Sequence, residues 1–215
     1  MSIFGIIRRT PASRAFWSAL VCAWLGSIAA GIGTMARFDW TPGSAGPAPR
    51  TWPPACAIKH DFNRPTLVVA IHPRCPCSAA TLTQVEALAE RHAAECRLIV
   101  LMLAPSVDDP AWTNAPAWRA ARSIAGVEVV ADALGGIAGA FGARTSGHAV
   151  LFGRDGRLMF SGGLTLSRAH EGVGPGAAAV DVLIRGGEAA NSAPVFGCAL
   201  FGPDDLCGPP VGERP

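Results

Sequence analysis

Two short apolar runs with a helical segment between them constrain this chain more than any other feature. Thr66 to Ile71 (TLVVAI) and Arg97 to Leu103 (RLIVLML) are continuous and rich in β-branched or bulky aliphatic residues. Runs of that length and composition suit strands buried on both faces. Between them, SAATLTQVEALAERHAA places Leu82, Val85, Leu88 and Ala89 at helical spacing, which predicts a helix over about 78–94 with one packed face. Strand, helix, strand in that order requires a parallel pair joined by a crossover.

The segments that follow extend the pattern. Pro105 to Pro116 reads as a loop, Ala117 to Ile124 as a short helix, Val127 to Val130 as a strand and Ala133 to Phe141 as a helical turn with Gly breaks. His148 to Phe152 and Arg157 to Phe160 flank Gly153-Arg154-Asp155-Gly156, a hairpin signal because Asp-Gly supplies the positive φ such turns need. Ala177 to Ile184 reads as a last helix, ended by Gly186-Gly187. These elements describe an α/β sandwich with a mixed central sheet flanked by helices.

Ahead of this domain, Phe16 to Ala36 (FWSALVCAWLGSIAAGIGTMA) contains no charged residue and is long enough to span a bilayer. Arg8, Arg9 and Arg14 precede it, whereas Arg37 after it is offset by Asp39. The charge bias predicts a single-pass inner-membrane anchor with a cytoplasmic N-terminus and a periplasmic main domain. The run exceeds the usual apolar core of a cleaved signal peptide, the competing reading. The expected organisation is therefore a cytoplasmic N-terminus (1–15), a transmembrane anchor (16–36) and a Pro/Gly-rich tether (37–58). A folded domain (59–190) and a Cys-containing Gly/Pro-rich tail (191–215) follow. Thr41 to Ala55 is so dense in Pro, Gly and Ser that it reads as unpacked.

Among 215 residues, half are apolar and the net charge is +2, which excludes both a disordered chain and a strongly basic nucleic-acid binder. Seven cysteines suit an oxidising compartment. Cys96, next to a strand, reads as packing material. His60 and His92 read as solvent-facing, and His170 as a loop residue.

The chemistry concentrates in His72-Pro73-Arg74-Cys75-Pro76-Cys77-Ser78, between the first strand and its helix. Pro76 suits a first helical turn, which would put Cys75 at the N-cap. There the helix dipole and Arg74 would favour thiolate, making Cys75 the candidate nucleophile. On a helix, positions 75 and 77 would point apart, so a Cys75–Cys77 disulfide would be strained and easily reduced; either Cys77 resolves Cys75 through such a labile, oxidising bond or a distant thiol does. Cys198 and Cys207 in the tail are then either a resolving thiol for Cys75 or a tail-pinning disulfide. His72 and His148, with Cys75 and Cys77, also make a sulfur and nitrogen set suited to Cu(I) or Zn.

This element order, with a cysteine motif between the first strand and its helix, resembles the thioredoxin superfamily over about residues 60–187. More narrowly, HPRCPCS, TSGH, FSGG, SRAHEG and PVFGC resemble the RedB-type bacterial membrane-anchored proteins. The resemblance implies a thioredoxin-like sandwich and a thiol–disulfide oxidoreductase-like activity with Cys75 as nucleophile and no cofactor. The implied partner is a protein thiol or disulfide. Cys77 is one position out of register with the second cysteine of thioredoxins, and Ser78 takes that place. Gly147 stands where thioredoxins carry a cis-proline over the cysteines, which implies an uncovered site beside His148. A metal-delivery role and a peroxiredoxin-like peroxidase are the alternatives. The latter is weakened by His72, where peroxiredoxins keep Thr or Ser.

Overall fold

A computed structural model describes residues 11–104 and 110–200. The chain divides after Asp39 into two units. The first is a single helix, α1 (Pro11–Asp39), whose segment Arg14–Asp39 is long and apolar enough to cross a membrane. It extends beyond both ends of the uncharged run.

The second unit is built on a sheet that interleaves with its helices. In chain order it holds β1 (Thr66–Ile71), α2 (Ser78–His92), β2 (Arg97–Ala104), α3 (Pro110–Thr113), α4 (Pro116–Ser123) and β3 (Val127–Ala133). Then come α5 (Gly136–Ala140), β4 (His148–Phe152), β5 (Leu158–Gly163), α6 (Pro175–Ile184) and β6 (Ser192–Ala193). The strand order is β3-β2-β1-β4-β5-β6. β1, β2 and β3 are parallel, β4 runs antiparallel to β1, and β5 runs antiparallel to β4. A parallel half joined to an antiparallel hairpin, with helices on both faces, is the thioredoxin-like sandwich expected from the sequence. The two-residue β6, parallel to β5, lies in a segment expected to be tail.

The period-two alternation of the central strands separates two cores. Leu67, Val69 and Ile71 of β1 pack with Leu82, Val85 and Leu88 of α2, with Trp118 of α4 and with Val180 of α6. Val68 and Ala70 point the other way, onto Ala138 and Phe141 of α5 and its C-terminal edge. Because β1 lies in the middle of the sheet, both sets are buried, and this is why its sequence has no polar alternation.

The second core corrects the picture of an unpacked tether. The backbone at 41–58 is irregular, with a turn at 54–55, but it lies on the domain. Gly43 N donates to Val195 O, Gly46 N to Gly142 O and Trp52 N to Gly156 O. The Trp52 ring packs against Phe141 and Phe152 at 5.0 and 5.3 Å, and Cys56 and Ile58 are buried beneath it. The Pro and Gly residues prevent strand pairing along most of the segment without preventing side-chain burial. Its compact unit accordingly starts at Trp40.

His92 is also corrected. It is buried at the end of α2, and its Nε2 pairs with Asp181 of α6 at 2.9 Å. His60 is half-buried between the rings of Trp52 and Phe62. His170 lies exposed in a loop and Cys96 is fully buried, as expected. Burial pushes the Cys96 thiol up to about 12, which suits packing rather than reaction.

Candidate functional site

The pairing of β1 with β4 creates the site. Ala70 lies opposite His148, so the loop leaving β1 (72–77) and the loop entering β4 (144–147) meet at one end of the sheet, where its parallel and antiparallel halves join.

A closed ring of hydrogen bonds ties these loops together. His72 N donates to Ser146 Oγ at 3.0 Å, and Ser78 Oγ donates to His72 O at 2.9 Å. The Ser146 hydroxyl then completes the ring to Ser78 Oγ at 3.1 Å. All three residues are buried. Ser78 therefore serves as a clamp. Sequence reasoning missed this role, and the only signals were two small hydroxyl residues beside the motif and beside Gly147.

The motif itself is a turn, not the first turn of a helix. Cys75 N donates to His72 O at 3.1 Å and Ser78 N to Cys75 O at 3.0 Å. Helix α2 begins at Ser78 with Cys77 as its N-cap, two residues later than the expected N-cap at Cys75. This shift matters because the side chains at 75 and 77 no longer obey helical spacing. They converge instead of pointing apart.

The tail brings a third sulfur. Residues 195–200 return along the 144–147 loop, with Ser146 N donating to Cys198 O at 2.8 Å and Leu200 N to Arg144 O at 2.8 Å. Thr145 and Ala199 form an antiparallel bridge. The sulfurs of Cys75, Cys77 and Cys198 all lie within 4.8 Å of one another. Cys75 and Cys77 are buried and Cys198 is half-buried, and none of the three is in a disulfide. Cys207 lies outside the described residues.

Gly147 is in the positive-φ region at +90°, and no peptide bond among the described residues is cis. The place expected to be open is closed by Thr81 of α2 and by the tail. A Cβ on Gly147 would stand 2.9 Å from Thr81 Oγ1 and 3.7 Å from Phe196 O. Gly197 packs so closely that a Cβ there would overlap the Ser146 carbonyl oxygen.

The two histidines are near the motif but outside the sulfur group. His72 Nδ1 accepts from Arg74 N at 3.2 Å, and its ring meets Trp112 edge-on at 5.3 Å. It orients the motif loop. His148 Nε2 pairs with Ser161 Oγ at 2.9 Å across the β4–β5 hairpin. The ligand set expected from sequence, two sulfurs and two imidazoles, is therefore not assembled; three sulfurs are.

Electrostatics divides the thiols. Hydrogen bonding from Cys198 and then Cys77 holds Cys75 far below the ordinary thiol range, against the opposing effect of burial. Cys77 is pushed up by its pairing with Cys198 and Cys75 and by burial. Arg74 contributes differently from expectation, since its guanidinium sits over Trp112 at 4.5 Å. The two motif thiols are therefore driven in opposite directions, Cys75 towards thiolate and Cys77 towards thiol. Cys75 also lines an open groove of ≈ 280 Å³ with Pro73, Pro76, Leu82, Pro116 and Ala117.

Burial lowers the His148 pKa from 6.5 to about 4, so the folded protein holds it neutral. Between those values the unfolded chain binds the additional proton, so stability is full above pH 6.5 and falls as pH drops towards 4. The expected loss over that window is about 3 kcal/mol. Urea unfolding followed by tryptophan fluorescence at pH 7, 5.5 and 4 measures it, and His148→Gln is expected to flatten the dependence.

No protein-family model and no curated protein matches the chain. Among solved structures, a hypothetical protein from Sinorhizobium meliloti 1021 is similar at 20% identity over 74% of this chain and 93% of that one, with a TM-score of 0.51. An uncharacterized conserved protein from Geobacillus kaustophilus is similar at 16% identity over 76% and 94%, with a TM-score of 0.52. A secreted disulfide oxidoreductase from Mycobacterium tuberculosis aligns at 15% identity over 45% and 66%, with a TM-score of 0.35. The first two likenesses are of fold.

Proposed function

We propose that this chain is a membrane-anchored, extracytoplasmic thiol–disulfide oxidoreductase of RedB type, with Cys75 as nucleophile and Cys198 as resolving thiol. The observation that carries this reading is the convergence of Cys75, Cys77 and Cys198 within 4.8 Å. The apolar α1 and the arginines before it support a single-pass anchor with the domain outside the cytoplasm.

In the reducing direction, the Cys75 thiolate attacks one sulfur of a partner disulfide. A mixed disulfide forms and the partner's other sulfur leaves as thiolate, taking a proton. The Cys198 sulfur, deprotonated by solvent, then attacks Cys75 Sγ, releasing the second partner thiol and leaving a Cys75–Cys198 disulfide. Two electrons pass from the two cysteines to the partner. The reverse sequence oxidises a partner dithiol. A stabilised Cys75 thiolate is a good leaving group and favours the reduced protein, so the oxidising direction is preferred. Cys77 stays protonated and donates to Cys75. The groove beside Cys75 suits an extended apolar segment around the partner's cysteine.

The test equilibrates the full chain in detergent with glutathione buffers from about −300 to −120 mV and maps disulfides by mass spectrometry. A reversible Cys75–Cys198 bond is expected. Cys75 remaining a free thiol across the whole range overturns the reading.

A further inference from the structure

We propose that Cys75, Cys77 and Cys198 form a three-sulfur site for one Cu(I) ion. This goes beyond the exchange chemistry above and does not rest on it.

The donor set argues for a soft ion. All three candidate ligands are thiol sulfurs, and among the described residues no carboxylate or imidazole joins the group. Thiolates suit Cu(I), zinc and iron–sulfur clusters, and of these the Cu(I) ion is satisfied by three sulfur ligands. Structural zinc takes four in nearly every case. The nearest imidazoles are committed elsewhere, His72 to Arg74 N and Trp112, and His148 to Ser161.

Geometry agrees. Metal–sulfur bonds of about 2.3 Å in a trigonal plane place the sulfurs about 4.0 Å apart. The three sulfurs already lie within 4.8 Å of one another, so small side-chain rotations close the site. Their backbones are held by independent restraints. The Ser78–Ser146–His72 ring fixes the motif loop, and the Ser146–Cys198 and Thr145–Ala199 pairings fix the tail. The 15-residue helix α2 has Cys77 as its N-cap, and its N-terminus favours the negative charge that bound thiolates bring. The half-buried Cys198 and the groove beside Cys75 leave a route for the ion.

On binding, each thiol that becomes a thiolate ligand releases its proton to water. Copper stays in the +1 state and no electron is transferred.

The experiment titrates the reduced full chain in detergent, anaerobically, with Cu(I) against bathocuproine disulfonate as competing chelator. One Cu(I) per chain is expected to survive the competition, with near-ultraviolet sulfur-to-copper charge transfer. X-ray absorption is expected to show three sulfurs at about 2.3 Å. Cys75→Ser, Cys77→Ser and Cys198→Ser should each lower affinity at least ~10-fold. Cys22→Ser, in α1, should leave it unchanged. Gly197→Val, which displaces Cys198 without altering a sulfur, should weaken binding as Cys198→Ser does. Loss of the copper in competition, a two-sulfur shell, or unchanged affinity in Cys198→Ser overturns the proposal. Disulfide mapping of the metal-free preparation separates the two readings. A reversible disulfide without copper retention sinks only the copper site, and copper retention without a disulfide sinks only the exchange chemistry.

Discussion

Cys75→Ser is expected to slow thiol–disulfide exchange by at least ~10³-fold at pH 7, because a serine hydroxyl is not ionised there and is a weak nucleophile. Cys77→Ser and Cys198→Ser retain the attacking sulfur and should instead change how far the reaction proceeds. With Cys198→Ser, a partner should accumulate as a mixed disulfide on Cys75, visible on a non-reducing gel. The pH profile gives an independent check on the wild-type chain. Alkylation of an ordinary thiol falls about tenfold for each pH unit below its pKa. Because Cys75 is held well below that range, its alkylation by iodoacetamide should stay nearly flat from pH 8 to pH 5. The linkage has a definite sign. A depressed thiol pKa contributes stability that is present above the free thiol's pKa and is lost as pH falls through the folded value. A Cys75 profile that falls like a free thiol's would show that the neighbouring sulfurs do not hold its charge.

The second large effect is expected far from any substitution of sulfur. Gly197→Val places a side chain against the Ser146 carbonyl, in backbone that has no room to give. The 195–200 segment must lift, taking Cys198 away from Cys75 and Cys77. Since hydrogen bonding from Cys198 is the largest cause of the lowered Cys75 pKa, that pKa should rise. Alkylation of Cys75 at pH 6 should fall at least ~10-fold relative to wild type. The Cys75–Cys198 disulfide should disappear from the oxidised protein. The sheet should survive, because the segment adds one isolated bridge at Thr145 and Ala199 to a sheet otherwise complete. Releasing Phe196 and Leu200 from their buried sites sets the stability cost, on the order of 1–3 kcal/mol. Unchanged Cys75 reactivity in a folded Gly197→Val protein would separate the tail from the site.

Much of the architecture was legible because it depends on short-range patterns. β1 was read with both ends correct, since six consecutive buried positions leave no polar residue to blur them. Asp155-Gly156 announced its hairpin because few residues accept φ near +75°. β6 was not legible, because two residues carry no periodicity and its pairing with Ser161 and Gly162 is a long-range contact. The segment at 41–58 was misread because Pro and Gly report backbone conformation, while packing depends on Trp52 finding Phe141 and Phe152. His92 was misread for a similar reason, since its partner Asp181 lies 89 residues further along the chain.

For the site, sequence by itself determined where Cys75 stands in the fold. A cysteine after a buried strand and before a helix lands at the end of the sheet wherever that pattern occurs, because chain order and strand direction leave it nowhere else. Sequence also determined that Cys77 was out of register and that the usual proline was absent. Tertiary structure alone decided what those departures mean. By moving the helix start to Ser78, it turned Cys77 towards Cys75, and by laying the tail beside Ser146 it brought Cys198 to both. The physical reason is that a thiol's charge depends on atoms within a few ångströms. Those atoms come from residues 75, 77 and 198, a separation along the chain that no local pattern encodes.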